Sequence, residues 1–180
     1  MPSKYSVQDR VPLPGSNATM PRIGYGVYRS ADCKKAVSNA LLAGYRHIDT
    51  AQFYRNEAAV GEAIKEAGIP REDIYIVTKI QYPVENSIEK TLESIRESVK
   101  RIDPDDENRK GYVDLFLVHT PTSGRSGREI LWAALELLKQ EGEPLILGST
   151  TSKYDPPSPS PAPTFHFTFM GPILANTNLL

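Results

Sequence analysis

At 180 residues, with 39% hydrophobic and 24% charged side chains, the chain has the size and composition of one ordinary globular domain with a real core. A formal net charge of −1 gives no electrostatic reason for nucleic acid or an acidic membrane surface as a partner. No apolar run approaches the ~20 residues of a membrane span. Met1 to Asn17 lacks the apolar core of a secretory leader, and the single cysteine, Cys33, excludes an internal disulfide. A cytoplasmic protein is expected, with the Asn17-Ala18-Thr19 sequon idle and Cys33 a small buried residue on a helix.

Val11 to Pro21 reads as a β-hairpin, with Pro14-Gly15-Ser16-Asn17 as its turn residues. Ile23-Gly24-Tyr25-Gly26 ends a strand, and Cys33, Ala36, Val37, Ala40 and Leu41 then recur at helical spacing until Gly44. Tyr45 to Asp49 is the next strand. Asn56 is a plausible cap for a helix carrying Val60, Ala63 and Ile64, closed by Gly68 and Pro70. Asp73 to Lys79 is a β-branched, nearly all-apolar strand, as expected when both faces are covered. Ile88, Leu92, Ile95, Val99 and Ile102 mark the clearest amphipathic helix.

Asp103 to Gly111 reads as a solvated, charged surface connection. Val113 to His119 is a further strand, Ile130 to Leu138 lie in a fourth helix ending near Gly142, and Pro144 to Gly148 start a fifth strand. Trp132 falls inside that helix and is expected in the core. Strict alternation of this kind implies parallel strands joined by right-handed crossovers. Between Ser149 and Leu180 the alternation stops: six prolines appear, five of them from Pro156 to Pro163. Residues 149–180 are therefore expected to form a disordered Pro/Ser-rich tail behind a domain at 1–148.

Four polar residues fall at strand ends or in the loops that follow them: Asp49, Tyr54, Lys79 and His119. In barrel enzymes that rim holds the chemistry. A tyrosine of ordinary pKa near ~10 is a poor acid at neutral pH. A neighbouring ammonium would lower that pKa, an aspartate would balance the ammonium, and a histidine would orient or protonate a carbonyl. Taken singly, each has an ordinary structural explanation: a surface tyrosine, a snorkelling lysine, an aspartate capping its turn, a histidine at the strand's exit. Taken together, they make a proton donor for a developing alkoxide.

The run Gly44-Tyr45-Arg46-His47-Ile48-Asp49-Thr50-Ala51, followed by Tyr54, Glu57 and Gly61, resembles the first motif of the aldo-keto reductases without departure. Ile76 to Lys79, Leu117 to Pro121, and Gly24 to Tyr28 resemble that family's neighbouring strands, and the likeness runs from about Arg22 to Gly148. The resemblance implies an α/β fold: a partial (β/α)8 TIM barrel of four to five βα units, preceded by the hairpin. It implies an NADP(H)-dependent oxidoreductase that reduces aldehydes or ketones, with Tyr54 as general acid, Lys79 and Asp49 tuning it, and His119 orienting the carbonyl. Gly26, Val27, Tyr28 and Asp49 would meet the cofactor, Tyr28 and His119 the small carbonyl substrate, and no metal is expected.

A whole barrel of this kind needs ~250 residues, so strands six to eight and their cofactor contacts are expected to be absent, as in a truncated product. An open half barrel would expose two sheet edges and one apolar face, which makes self-association the expectation. The competing reading is a non-catalytic half barrel that binds another chain. A Rossmann module is disfavoured, because no glycine-rich fingerprint follows the first strand.

Overall fold

The computed structural model of the protein describes residues 6–13, 17–141, 146–149 and 165–166. A short antiparallel hairpin, β1 (Arg10–Pro12) with β2 (Thr19–Pro21), comes first. Its expected turn at Pro14 to Ser16 lies outside the described residues. A parallel sheet follows in sequential order: β3 (Tyr25–Gly26), β4 (His47–Asp49), β5 (Tyr75–Ile80), β6 (Leu115–Val118), β7 (Ile146–Ser149) and β8 (Phe165–His166). Between them lie α1 (Cys33–Leu42), α2 (Glu57–Ala67), α3 (Ile88–Ile102) and α4 (Gly124–Gln140). Sequential parallel strands with a helix after each of the first four make this part of a (β/α) barrel, as expected.

The local signals act through identifiable contacts. Asp32 caps α1 by accepting from the Lys35 N–H, and Ser87 caps α3 by accepting from Lys90 N–H. Helix α4 starts six residues ahead of Ile130, directly after a 3-10 turn at Pro121–Ser123. Trp132 packs on the core and its indole N–H donates to Glu136 one turn on. Two residues of the proline-rich segment, Phe165–His166, pair with Gly148 and Ser149 as a further parallel strand, where no strand is expected from the sequence. The remaining residues of that segment beyond Ser149 lie outside the described set.

All six residues of β5 are buried, and they divide by alternation. Ile76 and Ile80 join the helix-facing core with Phe116, Leu92, Ile95 and Leu135. Tyr75 and Val77 face the other way, into a second cluster with Leu115, Leu117 and hairpin residue Leu13, against which Met20 packs. The hairpin therefore closes the N-terminal end of the strands. The expected bare apolar face is not found over these positions: Tyr75, Val77, Leu115 and Leu117 are all buried.

The connection after α3 also departs from expectation. Asp103 is not solvated; it is buried, and accepts from Arg71 Nε (3.1 Å), both terminal nitrogens of Arg109 (2.8 and 2.7 Å) and the Tyr112 N–H (3.1 Å). Arg71 further donates to Asp114 (3.0 Å) and to the carbonyls of Ile74 and Tyr112 (2.6 and 2.9 Å), with its guanidinium 3.9 Å from the Tyr112 ring centroid. Burial works to raise the Asp103 carboxyl, but the Arg109 bond, the Tyr112 N–H and both guanidiniums prevail and hold it below its ordinary value. Pro104 to Asn108 and Lys110 are exposed, as expected; the departure is Asp103, tied down at the start of the connection. Among the described residues no helix is long and apolar enough to cross a membrane.

Candidate active site

The parallel register sets the strand ends level. Asp49 pairs with Val77 and with Gly26, and Lys79 lies one inward step beyond Val77. Asp49 ends β4, Lys79 stands near the end of β5, and His119 follows β6, its N–H donating to Ile80 O at 2.8 Å. Tyr54 closes a 3-10 turn, Gln52–Tyr54, which Arg55 ends in a left-handed conformation with φ 57°. The four sequence-selected residues come together in one place.

Lys79 is 3% exposed, so the snorkelling alternative fails. Its ammonium donates to Asp49 Oδ1 at 2.6 Å and to the Thr50 carbonyl at 2.8 Å, and lies 5.3 Å from the Tyr54 ring centroid. The Tyr54 hydroxyl sits 3.5 Å from His119 Nε2. The Tyr28 ring leans on the Tyr54 ring with centroids 4.8 Å apart, and His119 meets that ring edge-on at 5.6 Å. Two neighbouring rings, Tyr28 and His119, and one buried ion pair thus flank the phenol.

The expected lowering of the Tyr54 pKa is not what this arrangement produces. Burial first, then the Asp49 and Tyr28 charges, push it up to about 12. Burial pulls Lys79 down against the opposing pull of Asp49. Burial, helped by the Lys79 charge, likewise lowers His119. The result at neutral pH is a protonated tyrosine beside a neutral imidazole.

His47 lies one turn of the pleat below Asp49 and is lowered by burial as well. Both histidines therefore bind protons more weakly folded than unfolded. Between the ordinary value of ~6.5 and the lower folded values, the unfolded chain holds more protons, so stability rises with pH there and falls as the solution is acidified. The expected result is a melting temperature that drops steadily from pH 7 toward pH ~5, with a shallower drop in His47→Gln. A flat or rising melting temperature over that window would contradict it.

Sequence reasoning missed the polar scaffold beneath the site. Glu57 is buried at 3% exposure, accepting from Thr78 Oγ1 (2.6 Å), Ser98 Oγ (3.0 Å) and Arg101 (2.8 Å). Gln52 donates to the same Ser98 hydroxyl at 2.8 Å. Helices α2 and α3 thereby hold the residues beside Lys79 and Tyr54. Gly61 serves the same contact: a Cβ there would meet Ile102 O at 2.5 Å and Arg101 O at 2.7 Å. The signal was present in the spacing of Glu57 and Gly61 after Tyr54, but spacing does not say what a residue touches.

Asn56 departs in kind. It stands at the N-cap position of α2 but makes no side-chain cap. Its Nδ2 donates to Val27 O at 3.0 Å and its Oδ1 accepts from Thr50 Oγ1 at 2.7 Å. Cys33, buried at the start of α1, has a thiol raised first by burial and then by Asp32. An open cleft of about 710 Å³ runs beside Tyr54 between the start of α1 and α2, lined among others by Arg29, Asp32, Cys33, Arg55 and Asn56. Tyr28 and His119 lie outside its lining.

The strand ends also offer what the reactive end of a nicotinamide cofactor requires. Asp49 Oδ2 is buried without a hydrogen-bond partner, an acceptor suited to a ribose hydroxyl. Beside it, nothing lies within 4 Å of where a Cβ on Gly26 would stand, and Val27 N–H donates to Asp49 O at 3.1 Å. The free acceptor and the open space at Gly26 fit such a group at that end. Among the described residues no cluster of three or more histidine, cysteine or acidic side chains could hold a metal ion.

Comparison with known proteins gives relatives in sequence and in fold. A methylglyoxal reductase of Salmonella typhi is 46% identical over 127 residues, spanning 68% of this chain and 45% of the relative. A glycerol 2-dehydrogenase (NADP(+)) of Saccharomyces cerevisiae is 42% identical over 123 residues, 67% of this chain and 36% of the relative. A crystal structure of an aldo/keto reductase from Brucella melitensis superposes with a TM-score of 0.70 at 37% identity, over 81% of this chain and 54% of that one. The chain spans about half the length of the curated relatives it matches. With residues 19–155 matching the family model, the chain belongs to the aldo/keto reductase family.

Proposed function

We propose that the protein acts as an NADP(H)-dependent oxidoreductase that reduces small aldehydes or ketones to alcohols. The observation that carries this reading is the convergence of the Tyr54 hydroxyl and His119 Nε2, 3.5 Å apart, beside the buried Lys79–Asp49 pair. Asp49 and the Gly26–Tyr28 segment would hold the cofactor, which supplies a hydride when bound. Tyr54, protonated at neutral pH, gives its proton to the oxygen of the substrate as charge develops there. An alkoxide is a far stronger base than a phenolate, so a tyrosine with a pKa of about 12 remains a competent donor.

Neutral His119, with Nε2 3.5 Å from the Tyr54 hydroxyl, orients the same oxygen. Lys79 stabilises the phenolate that remains, and Asp49 opposes the burial that pulls the ammonium down. Tyr28, half-exposed and leaning on Tyr54, offers an apolar wall to the substrate. The methylglyoxal reductase among the relatives makes a small dicarbonyl a natural first substrate to try.

The test is loss of NADPH absorbance by the purified chain with a panel of aldehydes that includes methylglyoxal, alongside NADPH titration and a size measurement. Turnover that depends on both cofactor and carbonyl is expected. Folded protein that neither binds NADPH nor turns over any aldehyde would overturn the reading. A defined complex without cofactor binding would favour a half barrel that works through another chain, and a size above the monomer would support self-association through the exposed sheet edges.

A further inference from the structure

The residue best placed to couple the two halves of the site is Asn56, whose side chain is turned away from the helix it begins. N-cap asparagines ordinarily accept from the N–H groups of the first helical turn. Here that role is unfilled, and both ends of the amide are used across the chain instead. Nδ2 donates to Val27 O at 3.0 Å, in the segment that follows β3; Oδ1 accepts from Thr50 Oγ1 at 2.7 Å, at the exit of β4. The Thr50 carbonyl in turn accepts from Lys79 at 2.8 Å. Asn56 itself stands two residues after Tyr54, across the left-handed Arg55.

We infer that Asn56 is a positioning residue that locks the Gly26–Tyr28 segment, the Lys79-bound exit of β4 and the Tyr54 turn into one rigid unit. This rests on the reading of Tyr54 and Gly26–Tyr28 as working elements, and it adds a part to which no chemistry was assigned. The physical case is the exchange itself. A cap was given up where a cap stabilises a helix, and the two bonds made in its place span 29 and 6 residues of sequence. Thr50 is wholly buried and Asn56 partly so; a lost partner there leaves polar atoms that water does not readily reach. The Tyr28–Tyr54 ring contact of 4.8 Å joins the same two segments, so their relative placement is what the amide sets.

Three variants separate the bonds. Asn56→Ala removes both, Asn56→Asp keeps the acceptor for Thr50 but loses the donor to Val27, and Thr50→Val keeps the donor to Val27 while removing the hydroxyl. The first readout needs no activity. The chain has three histidines, so their ring signals in NMR spectra can be assigned by single substitution. His119 lies 5.6 Å from the Tyr54 ring and 6.5 Å from Phe53, and reports any movement of the turn through ring currents. His47, packed on Tyr75 at 5.4 Å, is the internal control.

The expected result is that Asn56→Ala and Asn56→Asp shift the His119 signals and leave those of His47 in place. NADPH affinity should fall about tenfold, the loss of roughly one buried hydrogen bond, and Thr50→Val should give a smaller version of the same change. Where Asn56→Ala does not fold, Asn56→Asp and Thr50→Val decide. His119 signals unchanged in folded variants would overturn the inference, whatever the cofactor titration gives. Wild-type protein that binds no NADPH would count against the proposed function alone, because the His119 readout stands without it.

Discussion

Arg71→Ala should be among the most damaging single substitutions in the protein, lowering its stability by about 3–5 kcal/mol. The guanidinium is 8% exposed and is shared by Asp103 and Asp114, two carboxylates that also lie away from water. Removing it leaves Asp114 without that cation and two backbone carbonyls short of their donor, while Asp103 keeps only Arg109 as its ion-pair partner. Burial already raises Asp114, against the pull of Arg71; without that pull the carboxyl takes up a proton at higher pH still. Chemical denaturation monitored by circular dichroism measures the loss. Lys34→Ala is the control, because that lysine pairs with Glu62 and Glu66 on the open surface and its loss should barely move the curve. An Arg71→Ala protein as stable as that control would show the Arg71 contacts to be ornamental.

The second large effect is chemical. Tyr54→Phe should cut aldehyde reduction by roughly 100- to 10,000-fold, the usual contribution of a positioned proton donor. NADPH affinity and melting temperature should stay close to those of the parent. Phenylalanine keeps the ring that packs on Tyr28 and His119 and removes only the hydroxyl that faces His119 Nε2. Steady-state kinetics with the best aldehyde of the panel checks it. A variant that turns over like the parent would move the proton donor elsewhere, with His119 the next group to examine.

Much of this was legible in the sequence, for two separate reasons. Periodicity exposed the alternating elements because each strand is short and apolar and each helix is striped; Ile88, Leu92, Ile95, Val99 and Ile102 fall where α3 buries them, Ile88 at its margin. The four polar residues stood out because strand ends are level in a parallel barrel, so equivalent positions on neighbouring strands become neighbours in space. What stayed hidden depends on tertiary partners. Nothing local distinguishes Asp103 from its neighbours Asp105 and Asp106, yet Asp103 alone is buried, because Arg71 and Arg109 reach it from elsewhere.

The direction of the Tyr54 shift failed for a related reason. Residue types show that an ammonium and a phenol are close in the barrel, with an aspartate to balance the ammonium, but not that burial of the phenol outweighs the ammonium's pull. Asn56 was legible as the start of a helix, and its use was not. A cap and a cross-chain tie look identical in sequence.

The close approach at Gly61 has a consequence for how the motif should be used. In the proposed function Asp49 and Tyr54 serve the reaction, whereas Glu57 and Gly61 record how near α2 must come to α3. The two kinds of position answer to different pressures. A descendant that abandoned reduction while still needing to fold would be free to change the first pair and bound to keep the second. Counting matches along the whole run conflates ancestry with competence, whereas scoring the two pairs apart would sort silent members of the family from working ones.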